Sequence, residues 1–122
     1  MPQLLSSAIQ PVSVAWALAH PEVLRVDVRP SHERARAAGT LPRAHHVPLD
    51  RLDIARDLGV WARLLLVSEH GVRAELAAAR LADLGMRRVY LLDGGLQAWL
   101  TARLPTEPGH DLPALPIFGA LP

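Results

Sequence analysis

Leu64-Leu65-Leu66-Val67-Ser68-Glu69-His70-Gly71-Val72-Arg73, running on through Glu75-Leu76-Ala77-Ala78-Ala79-Arg80-Leu81, is the stretch that decides the fold. A short apolar run, a polar loop holding one glycine, and an alanine-rich segment of helical period read as strand, tight loop and helix. In an open α/β sheet such a loop lies at the carboxyl end of its strand and turns backbone N–H groups outward from the helix start. That is an anion-binding position and a usual place for an active site. Ser68, at the head of the loop, is the residue whose chemistry must be weighed.

At 122 residues the chain is one domain, long enough to bury roughly two-thirds of its unfolded surface. Half of its residues are hydrophobic, yet it has one Phe, one Tyr and three Trp, so the core must be built on Leu, Val and Ala. A formal charge of +1 makes no electrostatic case for nucleic acid or an anionic membrane. Every basic residue is Arg, which leaves no lysine for Schiff-base chemistry. Cysteine is absent, which excludes disulfides, thiolate metal sites and a cysteine nucleophile. With no charged, apolar leader and no long aliphatic run, a soluble cytoplasmic protein is expected.

Outward from the opening stretch, the pattern alternates. Ala8 to Gln10 reads as an edge strand before Pro11, and Ser13 as the N-cap of a short helix, Val14 to Ala19. Val23 to Val28 is β-branched and alternating, a strand. Pro30-Ser31 opens a helix to about Ala38, closed by Gly39. Leu41 to Pro48 is extended, with a brief strand at Ala44 to Val47, and Asp50 to Leu58 is helical up to Gly59. Arg63 to Val67 is a continuous apolar strand of the kind buried on both faces of a parallel sheet.

Val72 to Leu84 is the longest helix, and Leu76, Ala77, Leu81 and Leu84 share the arc expected to pack on the sheet. Arg80 falls in that arc and needs an edge or a buried acceptor. Arg88 to Leu92 is a strand, Asp93-Gly94-Gly95 a turn, and Leu96 to Ala102 the last helix. The domain is expected over residues 1–104. A proline-rich tail, 105–122, is expected to be extended and to pack loosely or not at all. Strands alternating with helices predict an α/β fold: a parallel sheet covered by helices on both faces, in right-handed βαβ units.

These residues resemble a rhodanese-like domain. Val26-Asp27-Val28-Arg29-Pro30 with Glu33, then Gly39-Thr40-Leu41-Pro42-Arg43-Ala44 and Val47-Pro48-Leu49, are similar to its first half. Ser68-Glu69-His70-Gly71-Val72-Arg73 stands where the family carries a Cys-x-x-Gly-x-Arg loop. Leu92-Asp93-Gly94-Gly95-Leu96-Gln97-Ala98-Trp99 resembles its closing strand and Gly-Gly-x-x-x-Trp helix. The resemblance runs from about Ile9 to Pro105. It implies a three-layer fold with a sheet of about five parallel strands. It also implies sulfur transfer, in which a loop cysteine takes sulfane sulfur from a donor such as thiosulfate and passes it on. The six-residue loop resembles the sulfurtransferase branch, whereas phosphatases on this fold use a loop one residue longer.

Ser68 at the cysteine position is the decisive departure. A serine hydroxyl has a far higher pKa than a thiol, about 8.5 when free, and its oxygen cannot carry a persulfide. Persulfide transfer by this chain alone is therefore excluded chemically. Thr40 replaces the histidine of the family's Gly-His-Ile-Pro-Gly-Ala motif, Arg43 replaces its second glycine, and Arg34 stands where an aromatic is preferred. Glu69 adds a negative charge to the loop, which opposes an anionic donor.

The remaining candidate is an anion-binding loop, Ser68, Glu69, His70, Gly71, Val72 and Arg73, without a catalytic nucleophile. Arg73 either grips an anion at the helix start or braces the loop against a carboxylate such as Asp27. Asp27, Arg29 and Glu33 read as structural support, with Arg29 and Glu33 spaced to pair and to contribute a few tenths of a kcal/mol if exposed. Gly94 and Gly95 are turn residues, and Trp99 is a core anchor. His45 and His46, adjacent in an extended segment, face opposite sides and make no metal site, so neither metal nor cofactor is expected. The expectation is a binding or regulatory module for a small anion or a protein partner, without nucleic acid or membrane. The alternative is a hydrolase or phosphatase-like enzyme using Ser68, His70 and Arg73.

Overall fold

The computed structural model describes residues 8–31 and 39–108. Its five strands are β1 (Ile9–Val12), β2 (Leu24–Asp27), β3 (His45–His46), β4 (Arg63–Val67) and β5 (Arg88–Leu92). Three α-helices, α1 (Val14–Ala19), α2 (Val72–Asp83) and α3 (Gly95–Thr101), join a 3-10 helix over Leu49–Leu58. All neighbouring strands are parallel, in the order β1-β5-β4-β2-β3. The α/β architecture and its five-stranded parallel sheet are those expected. Pro11 sits inside β1, which a strand tolerates only at a sheet edge.

β4 lies at the centre, and the side chains of its apolar run alternate between two cores. Leu64 and Leu66 enter one with Val26, Leu52, Ala77, Leu81 and Val89, beneath α2 and the 3-10 helix. Leu65 and Val67 enter the other with Ala17, Leu41, Leu92, Leu96 and Trp99, beneath α1 and α3. Ser13 caps α1 as expected, its hydroxyl accepting from Trp16 N at 3.0 Å.

Three expectations are corrected. The buried face of α2 is Ala74, Ala77, Ala78 and Leu81, while Leu76 and Leu84 are exposed. Alanine lets the helix approach the sheet closely, and that choice rotates the arc away from both leucines and leaves Arg80 exposed, donating to Leu49 O at 3.4 Å. The segment Leu49–Leu58 is 3-10 rather than α-helical, interrupted by non-helical backbone at Arg51. The start of the proline-rich tail is fixed to the body: Thr40 and Glu107 exchange backbone hydrogen bonds at 2.9 Å each, and Trp99 Nε1 donates to Pro105 O at 2.8 Å. The helix expected from Pro30 to Ala38, with Glu33 and Arg34, falls from residue 32 onward outside the described residues, as does the tail beyond Pro108.

The sheet order places the switch point between β2 and β4, since the chain moves outward to β3 on one side and to β4 and β5 on the other. Crevices outside the carboxyl ends of strands at such a point are where open α/β sheets bind ligands. Asp27 ends β2 there, and the loops leaving β2 and β4 carry Arg29 and Ser68.

Candidate functional site

Ser68 follows the last residue of β4 and is 2% exposed. Its Oγ accepts from Gly71 N at 3.1 Å and from Ala74 N at 3.2 Å. The hydroxyl thus satisfies amides at the start of α2, where a helix leaves its first N–H groups without internal partners. The amides of Glu69, His70 and Val72 find no acceptor among the described residues. His70 is exposed, and among the described residues no hydrogen bond joins it to Ser68.

The other wall of the loop is the start of α3. Leu96 N donates to Ser68 O at 2.8 Å and Gln97 N to Glu69 O at 3.0 Å. Gly95 makes this approach possible. It holds φ +64, and a Cβ there would stand 2.7 Å from Glu69 O and 2.8 Å from Gly71 N. Gly94 caps the same helix.

Beneath the loop, Arg29 is fully buried and acts as a hub. Its Nε donates to Asp27 Oδ1 at 3.0 Å and Oδ2 at 3.1 Å, and its Nη2 to Asp27 Oδ2 at 2.7 Å and Gly39 O at 3.1 Å. Nη1 reaches Glu69 Oε1 at 3.3 Å. Burial lowers the Arg29 pKa, but the hydrogen bonds and charge of Asp27, with those of Glu69, more than reverse this and raise it. His46 Nε2 donates to Arg29 O at 2.7 Å, so the inward-facing histidine of the pair is a backbone brace. A second buried cation, Arg25, is held by Ala17 O and Pro42 O, each at 3.0 Å. Its pKa is lowered by burial and by nearby Arg43.

Glu33, the partner expected for Arg29, lies outside the described residues. Arg29 is buried rather than exposed, and its ion-pair partners among the described residues lie two and forty residues away, at Asp27 and Glu69. Glu69 is correspondingly not a bare charge in the loop: Arg29 and the Gln97 side-chain amide hold its carboxylate. Among the described residues, two carboxylates against one guanidinium leave this cluster with a formal excess of one negative charge. Asp27 accepts from both the backbone amide and the guanidinium of Arg29. Arg73 is exposed near the start of α2 and lines a cleft of about 450 Å³ with Pro30, Ser31, Arg51 and Arg80. Gln97 is the site residue that sequence reasoning missed, since its position as the third residue of a helix carries no local sign of a partner at Glu69.

Two departures in the preceding loop have structural correlates. Arg43 adopts φ +66, the left-handed conformation that favours glycine, with its N–H donating to Glu107 Oε1 at 3.0 Å. Thr40 is buried, and its Oγ1 has no partner among the described residues. Those residues hold no cluster of potential metal ligands, and none of their helices is long and apolar enough to cross a membrane.

A family model described as "Rhodanese-like domain" matches residues 12–102. The chain is 34% identical over 92 residues to the thiosulfate sulfurtransferase GlpE of Pseudomonas fluorescens, covering 75% of this chain and 83% of that protein. It is 35% identical over 97 residues to a tRNA uridine(34) hydroxylase of Synechococcus elongatus, of which it spans 35% of the length. Among solved structures, a rhodanese homologue from Thermus thermophilus is 37% identical with a TM-score of 0.56, over 73% of this chain and 99% of that one.

Proposed function

Because the chain belongs to the rhodanese-like domain family, we propose that it is a member without sulfurtransferase activity of its own, acting as a binding or regulatory module. The observation that carries this reading is the occupancy of the nucleophile position. Ser68 keeps the loop's hydrogen bonds, through Oγ to Gly71 N and Ala74 N, while the chain contains no sulfur nucleophile. Sulfane transfer needs an S–S bond at the attacking atom, and an alkoxyl oxygen cannot supply one. Burial of the hydroxyl and its role as acceptor for two amides also disfavour the hydrolase or phosphatase-like alternative, which requires Ser68 in line with a base.

The module keeps an anion-receptive rim. The amides of Glu69, His70 and Val72 and the arginines Arg51, Arg73 and Arg80 of the adjoining cleft suit a small anion or a carboxylate of a protein partner. The negative balance of Asp27, Arg29 and Glu69 beneath them keeps that binding weak. The deciding measurement is thiosulfate:cyanide sulfur transfer by the purified wild-type chain. No turnover above a mock purification is expected, and reproducible turnover overturns the proposal.

A further inference from the structure

The opposite end of the sheet carries a second concentration of charge. β4 and β5 begin with Arg63 and Arg88, which are direct register partners. Adjacent strands lie about 4.8 Å apart, and like charges at neighbouring sheet positions destabilise the pair. Arg87 stands beside them. The register also pairs Leu65 and Gln10 with Tyr90, so Gln10, Arg63, Arg88 and Tyr90 share one face by strand alternation. Trp16 of α1 packs against Tyr90, with ring centroids 4.6 Å apart. Beyond Tyr90 lies an open cleft of about 300 Å³, lined by Gln10, Arg63, Arg87, Arg88 and Tyr90.

The three guanidinium groups are poorly compensated. Arg63 meets Glu22 at 3.4 Å in a solvent-exposed pair, and its Nε is buried with no acceptor among the described residues. Neither Arg87 nor Arg88 has a carboxylate within ion-pair distance among those residues. Aromatic rings support two of the cations: Arg63 lies 5.8 Å from the Tyr90 ring centre and Arg88 6.0 Å from that of the exposed Trp61. The cleft therefore keeps about two uncompensated positive charges while the whole chain has a formal charge of +1.

We propose that this cleft is a binding site for a small phosphorylated ligand, with the phosphate held between Arg63, Arg87 and Arg88 and with Tyr90 and Gln10 as further donors. Guanidinium forks match phosphate oxygens two at a time. Three cations around one cleft favour a multiply charged anion over a single carboxylate. The site is separate from the Ser68 loop, because the length of β4, about 16 Å, lies between them.

The test is a titration of the full-length protein with inorganic pyrophosphate at constant ionic strength, followed by the amide and Arg Nε–H resonances. Saturable shifts at Gln10, Arg63, Arg88 and Tyr90 are expected. Arg87→Gln and Arg88→Gln should each weaken binding at least tenfold, with Arg56→Gln leaving it unchanged. Without ligand, Arg88→Gln should melt no lower than wild type, because it removes a like-charge pair. Should that variant fail to fold, Arg87→Gln carries the same comparison. Shifts confined to residues 69–73, equal weakening by Arg56→Gln, or binding of an oligonucleotide with no response to pyrophosphate each overturn the proposal.

Discussion

Ser68 and Arg29 divide the site between them: one occupies the position of the chemistry, the other holds the loop in place. The amides that reach Ser68 Oγ would reach a sulfur in the same place and hold its thiolate below the free-cysteine value of about 8.5. Ser68→Cys is therefore expected to gain the mass of one sulfur atom on incubation with thiosulfate, read by intact mass spectrometry, while wild type gains none. The gain should be partial, because the carboxylates of Asp27 and Glu69 outnumber Arg29 beneath the loop. Arg29→Met leaves the fully buried Asp27 carboxylate without its cation, a loss of about 3–5 kcal/mol by urea unfolding. A loss under about 1 kcal/mol would mean that water reaches Asp27. At this scale the identity of Ser68 was legible in the sequence, since its chemistry follows from one atom. The hub at Arg29 was not, because its contact with Glu69 spans forty residues and no local spacing connects the two.

Among the elements, the junction of the β4–α2 loop with the start of α3 is the most constrained. Leu96 N and Gln97 N dock on the carbonyls of Ser68 and Glu69 only because residue 95 lacks a Cβ. Gly95→Ala combines a left-handed backbone with an overpacked contact, for a combined cost of about 2–4 kcal/mol in chemical denaturation. The same change placed in Ser68→Cys should abolish the sulfur gain, because the loop must move to admit the methyl group. The Gly94-Gly95 pair was legible as a turn, but its role as the contact face of the loop was not. α2 shows the same division. Its existence and limits followed from periodicity, whereas its orientation followed from how closely the alanines Ala74, Ala77 and Ala78 let it approach the sheet.

For the whole molecule, the strand order puts two arginine-lined clefts at opposite ends of the sheet: one beside the Ser68 loop, the other at the start of β4 and β5. The Thr40–Glu107 bridge extends the folded body past Leu104. A chain ending at Leu104 loses that bridge, the acceptor of Trp99 Nε1 and the Glu107 carboxylate over Arg43 N. Its melting temperature should fall, with a loss of about 1–3 kcal/mol. The sequence by itself determined the α/β class, the strand–loop–helix at Leu64–Leu81, the buried central strand and the absence of a sulfur nucleophile. Each of these depends on residue type and short-range periodicity. Tertiary structure alone decided that Arg29 joins Asp27 to Glu69, that Gln97 holds the Glu69 carboxylate, and that Arg63 and Arg88 stand side by side. Those arrangements depend on strand order and register, which bring together residues that no local pattern connects.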